Sequence, residues 1–181
     1  MSAYVIPLEN LRNTDVGSVG GKNASLGEMI SQLNAKGVRV PTGFATTALA
    51  FREFLAHNKL DDKIADELKT LNTDDTDALA VSGKKIRQWI IDTPFPSSLE
   101  KAIEENYTRL TKNSAEGTTF AVRSSATAED LPDASFAGQQ ESFLNIHGVE
   151  NIKHAIKEVF ASLYNDRAIS CLLYTSDAAD E

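Results

Sequence analysis

Two short signatures, about a hundred residues apart, constrain this chain most. The first is Val19-Gly20-Gly21-Lys22-Asn23-Ala24-Ser25-Leu26-Gly27. The second is Phe120-Ala121-Val122-Arg123-Ser124-Ser125-Ala126, which runs into Glu129-Asp130-Leu131-Pro132-Asp133-Ala134-Ser135-Phe136-Ala137-Gly138. One sets a lysine on a glycine turn that opens a helix. The other sets an arginine at the end of a strand, followed by a loop of small residues. Gly20 and Gly21 have no Cβ, so the backbone there can approach an anion closely. The N–H groups of the helix that follows would point at it. Lys22 adds a mobile charge, and Arg123 a rigid fork suited to bidentate phosphate binding. Ser124 and Ser125 add hydroxyl and amide donors. Two cations and two sets of free N–H groups are what a triphosphate needs, so a nucleotide is the first ligand to consider.

Each signature also has a plainer reading. The G-x-x-x-x-G-K-[ST] spacing is absent, so Gly20-Gly21-Lys22 by itself reads better as a glycine-rich helix entry with a solvated lysine. Arg123 by itself is equally consistent with a structural ion pair to Glu129, Asp130 or Glu141.

The rest of the chain alternates helical and extended patterns, which places it in the α+β (mixed α/β) class. Residues 4–8 read as a short strand and 17–22 as a loop. Leu26, Met29, Ile30 and Leu33 predict a helix over 23–35, with Gly37 as its stop. Residues 38–45 read as a strand broken by a bend at Pro41. Thr46 or Thr47 caps the next helix, with Leu49, Phe54 and Leu55 on its inner face. Helices follow over 61–71 and 76–91; in the second, Leu79, Ile86, Trp89 and Ile90 share a face. Thr93-Pro94-Phe95-Pro96 ends that helix and starts another over 97–110. Strands are predicted over 118–124 and 140–146, and a last helix over 149–164. Its apolar stripe is Val149, Ile152, Ile156, Val159, Phe160 and Leu163. The loop of about fifteen residues between the two strands is long enough to be a functional lid.

Composition removes several classes of function. No apolar run reaches the roughly 20 residues a membrane span requires, so no membrane association is expected. The N-terminus lacks the basic and apolar regions of a signal peptide. The single cysteine, Cys171, allows neither a disulfide framework nor a thiolate metal site, which fits a cytoplasmic enzyme. The net charge of −8 speaks against nucleic acid as a partner. An anionic nucleotide is still open to it, because local cations and helix N-termini decide that.

Glu129, Asp130 and Asp133 offer oxygen ligands for Mg²⁺, but solvated acids that restrain the loop are the better reading. Gly138 marks a place where the loop bends or lies close to something. His57, His147 and His154 are not bracketed by acids or serines at triad or metal spacing and are not expected to be catalytic.

Together these motifs, with Val40-Pro41-Thr42-Gly43-Phe44-Ala45-Thr46-Thr47 and Thr93-Pro94-Phe95-Pro96, resemble the phosphoenolpyruvate synthase (pyruvate, water dikinase) family. The resemblance runs from near the start of the chain to Asp166-Arg167-Ala168-Ile169-Ser170. Pyruvate, phosphate dikinase has the same general layout but a less similar loop. The resemblance implies that residues 1–170 are the first part of an ATP-binding domain of ATP-grasp type. ATP, as a substrate, would contact Gly20, Gly21, Lys22, Arg123, Ser124, Ser125 and Gly138. In the family, ATP phosphorylates a histidine on a mobile central domain, giving AMP and phosphate overall. That domain passes the phosphoryl group to pyruvate in a C-terminal barrel, with Mg²⁺ at the chemical steps.

The phosphohistidine, the metal ligands and the pyruvate site are therefore expected beyond these residues, so pyruvate becomes a partner only through domains absent here. A homodimer is the assembly open to the full-length enzyme. Residues 171–181 break the pattern. They read as the translation of a transposon-end adapter used in sequencing libraries, and they are left out of the fold expectation. A chain cut at 170 would expose apolar surface meant for the second lobe, and marginal stability is expected of it.

Overall fold

The structure is a computed structural model and describes residues 3–72, 75–112, 114–115, 117–125, 127 and 141–170. Gly138, Glu129, Asp130 and Asp133 in the long loop, and the 171–181 tail, lie outside the described residues.

Strand β1 (Val5–Pro7) pairs antiparallel with β2 (Phe44–Thr46), Ile6 lying opposite Ala45. Between them run helical turns at Leu8–Asn10 and Asn13–Asp15, helix α1 (Val16–Val19) and helix α2 (Gly21–Leu33). The loop expected over 17–22 is therefore mostly helix. Only Gly20, at φ 78° and ψ 161°, breaks the path between α1 and α2. Gly37, in the left-handed region at φ 79°, ends the turn after α2 as expected. The strand expected over 38–45 shrinks to its last residues. Pro41 has no N–H to give to a ladder, and Val38 faces solvent.

Thr47 caps α3 (Ala48–His57), its hydroxyl accepting from the Ala50 N–H at 3.2 Å. Helices α4 (Leu60–Lys69), α5 (Thr76–Asp92) and α6 (Ser97–Thr111) follow close to their expected bounds. Strands β3 (Phe120–Arg123) and β4 (Ser142–Ile146) form a second antiparallel pair. Phe120 opposes Ile146 and Val122 opposes Phe143, so β4 carries one extra residue. Asn145 takes up that bulge at φ 59°. Helix α7 (Val149–Ser162) closes the body, and a helical turn over 166–170 follows.

The main core joins α3 to α7. Phe54, Ile86, Ile90, Leu99 and Ile103 are completely buried, and Phe160 stacks edge-on against Phe51 and tilted against Phe54. Burying each such side chain contributes about 1.5–3 kcal/mol. Lys153, on the α7 face toward α6, is buried and ion-paired with Glu100, Glu104 and Glu150 at 2.9, 2.9 and 2.7 Å. Those contacts raise its pKa further above the ordinary lysine range, first through Glu150 and Glu100, with burial opposing. Leu163, expected on the inner stripe of α7, falls past the end of the helix and is exposed. A smaller core of Leu8, Leu11, Val19, Ala24, Ile30 and Ala45 holds α2.

Candidate anion-binding site

The two signatures meet. A Cβ built on Gly20 would lie 2.2 Å from the Ser125 carbonyl oxygen and 2.4 Å from its hydroxyl oxygen. Only glycine tolerates both that approach and the Gly20 backbone angles. Gly20 is also the residue that caps α2, and it has no side chain to satisfy the first amides of the helix. Ser125 supplies the missing group from the other signature: the Asn23 N–H donates to its Oγ at 3.2 Å. The serine thus acts as the helix cap from a position 102 residues away in sequence.

This junction forms one wall of a cavity of about 470 Å³. Arg123, Ser124 and Ser125 line it, reaching it from the end of β3. Arg123 is exposed, and its guanidinium makes no hydrogen bond or ion pair among the described residues. The ion pair to Glu141 that its sequence context allowed does not form; instead the Glu141 carbonyl accepts from the Ser124 N–H at 3.1 Å. Ser124 is 4 % exposed, and its hydroxyl oxygen has no hydrogen-bond partner among the described residues. A buried hydroxyl with nothing to bond is costly unless a ligand or water completes it. Gly20, Gly21 and Lys22 stand behind this wall and are not among the described residues lining the cavity. Lys22 is half-buried, at the second position of α2.

The rest of the described lining comes mainly from α3 and α7. Thr46, Thr47 and Ala48 bring the start of α3 to the cavity, and Phe51 and Arg52 follow along the same helix face. Phe160, Leu163, Tyr164 and Asn165 come from α7 and the turn after it. That turn is fixed from outside. Arg87 on α5 donates to the Tyr164 carbonyl at 2.7 Å and pairs with Asp166 at 3.3 Å. Gly83 makes room for this clasp, since a Cβ there would come within 2.8 Å of the Asp166 carboxylate. Burial, and to a smaller degree Asp61, pushes the Tyr164 phenol pKa up and keeps it protonated.

The described lining includes two arginines and no carboxylate. The charge of such a lining suits an anion, with apolar surface alongside for the rest of a ligand. Among the described residues no group of three or more His, Cys, Asp or Glu could hold a metal ion. His147 meets the Thr118 carbonyl at 3.1 Å and His154 meets Glu158 at 3.3 Å, both outside the cavity. Arg52 and Arg87 are the residues that sequence reasoning passed over. Each looks like any other polar residue on an amphipathic helix.

Comparison with known proteins gives the family. The pyruvate phosphate dikinase, AMP/ATP-binding domain family matches residues 16–176. The chain belongs to that family. It is 64% identical to a phosphoenolpyruvate synthase of Neisseria meningitidis serogroup B over 168 residues, 92% of this chain and 21% of that protein. It is 56% identical to the Escherichia coli K12 phosphoenolpyruvate synthase over 169 residues, 93% of this chain and 21% of that protein. The Aquifex aeolicus phosphoenolpyruvate synthase is 51% identical over 168 residues, 92% of this chain and 20% of that protein. The resemblance drawn from the motifs is thereby borne out. The chain spans about a fifth of the length of these relatives. Among the described residues no helix is long and apolar enough to cross a membrane.

Proposed function

We propose that this chain is the ATP-binding portion of a phosphoenolpyruvate synthase, an enzyme converting ATP, pyruvate and water to AMP, phosphoenolpyruvate and phosphate. The observation that carries the reading is the Gly20–Ser125 junction. It sets the start of α2 beside Arg123 and the Ser124 hydroxyl, which has no partner among the described residues, on a cavity whose described lining has no acid. Residues 1–170 would be the first part of an ATP-grasp-type domain, with Gly138 as a further ATP contact.

Arg123 and Lys22 neutralise and position the β- and γ-phosphates, which is most of what phosphoryl transfer asks of a protein. Ser124 and Ser125 donate to phosphate oxygens. The acceptor histidine and the pyruvate site belong to domains beyond this chain, and Mg²⁺ enters with the triphosphate. The enzyme works in the cytoplasm, and its full-length form can assemble as a homodimer.

The test is Arg123→Ala in the full-length enzyme. ATP-dependent phosphorylation of the histidine should fall by a factor of about a hundred or more, the scale set by losing one preorganised charge contact to the transition state. Near-normal phosphorylation would overturn the assignment.

A further inference from the structure

Arg52 has no role in the site as argued so far, yet it lines the same cavity as Arg123. It lies on α3, four residues after Ala48 and next to Phe51, so one helix face brings all three to the cavity. Phe51 is held there by its edge-on contact with Phe160 at 5.0 Å, which fixes the rotation of α3. Arg52 is exposed and makes no ion pair or hydrogen bond among the described residues. The start of α3 is open to the same space through Thr46, Thr47 and Ala48. The Ala48 and Leu49 amides precede the first intrahelical bond, so that end carries partial positive charge. The same lining holds Arg123 and the Ser124 hydroxyl, which is buried and without a partner among the described residues. Two cations brought to one cavity by different elements, α3 and β3, with no carboxylate among the described lining residues, suit a ligand with more than one anionic group.

We infer that Arg52 and the start of α3 form a second anion contact, which with Arg123 makes a clamp for a polyphosphate. This deepens the nucleotide reading and rests on it. It adds that the cavity selects for phosphate number: a triphosphate spans both arginines, and a monophosphate reaches one.

The experiment uses the full-length enzyme, with the unsubstituted protein as the parent chain, and titration calorimetry with three probes: inorganic tripolyphosphate, ATP and AMP. Thermal melts come first. Arg52 is exposed and packs in neither core, so Arg52→Gln should melt with the parent chain. The expected result is a loss of about tenfold for tripolyphosphate and ATP, the worth of one charge-assisted contact. AMP should weaken less than about threefold, and the salt dependence of tripolyphosphate binding should become shallower. Arg52→Lys should restore part of the loss.

Equal losses for all three probes would mean that Arg52 only shapes the cavity, and would overturn the clamp. So would tripolyphosphate binding unchanged in Arg52→Gln but weakened in Arg123→Gln. Loss of tripolyphosphate binding in Arg52→Gln, with no ATP binding by the parent chain, would keep the clamp and overturn the nucleotide reading. Binding of neither ATP nor tripolyphosphate by the parent chain would overturn both.

Discussion

The two cores hold their helices in opposite ways. Around α3–α7 large side chains fill space: Phe54, Phe95 and Phe160 meet at ring distances of 5.5–6.3 Å, and Ile86, Ile90, Leu99 and Ile103 are sealed beneath them. Around α2 it is the absence of side chain that makes the fit. Gly20 lets Ser125 in at one end, and Gly27 lets the helix settle on Leu11, whose Cβ would be 2.6 Å from an added methyl. A core held by volume resists loosening in proportion to the area it buries. A helix seated by close backbone approach is displaced by a single added carbon. The site-bearing helix thus rests on a smaller core and on two glycines that nothing larger can replace.

The largest expected effect tests the first half of that contrast. Phe54→Ala should destabilise the chain by about 4 kcal/mol, through lost burial and the space left behind. Urea unfolding followed at Trp89 reads it. A loss below about 1 kcal/mol would mean that the large core is not what holds the body together.

Next comes Gly20→Ala. A methyl there meets the Ser125 backbone, and the residue must hold φ 78°, so a cost of about 3 kcal/mol is expected. Tripolyphosphate binding should vanish with it. Normal stability and binding in the Gly20→Ala chain would show that the two signatures need not touch.

Ser125→Ala is subtler. It removes a cap supplied from outside the helix, at about 1 kcal/mol. Hydrogen exchange should quicken at the Asn23 amide and leave α5 and α6 unchanged. Quickening spread through α5 would mean that the two cores open as one unit.

The smallest effect is a pH dependence confined to the helical body. The Lys85 hydrogen bond, helped by Ser82 and opposed by burial, lowers the Glu67 pKa below its ordinary 4.5. Its contribution is therefore present above that value and lost as pH falls through the lowered one. Glu67→Gln should flatten the acid limb of the stability curve by no more than about 1 kcal/mol, the ceiling for an exposed pair. An unchanged acid limb would remove Glu67 from the account.

The helices were legible because their signals are local. The Thr47 cap, the Pro94–Pro96 break and the Ile152–Ile156–Phe160 stripe each act within a few residues. Of the strand expected over 38–45 only the end after the Pro41 bend forms, because extended backbone without partners is not a ladder. At the site, residue types were legible and neighbours were not. Gly20 and Arg123 announce anion chemistry through what they are. That Ser125 caps α2, or that Arg87 clasps the turn at Tyr164, depends on contacts across 102 and 77 residues. Arg52 carries no signal at all, since its meaning comes only from the wall it faces.

The reach of the Gly20–Ser125 contact also orders events in time. A chain synthesised from its N-terminus has α2 available early, but the group that caps it arrives only after α3 to α6 have been made. Closing so long a loop is slow compared with forming any one helix. The ligand site is therefore the last feature to mature, and a nascent chain should acquire most of its helix before it can hold its first phosphate.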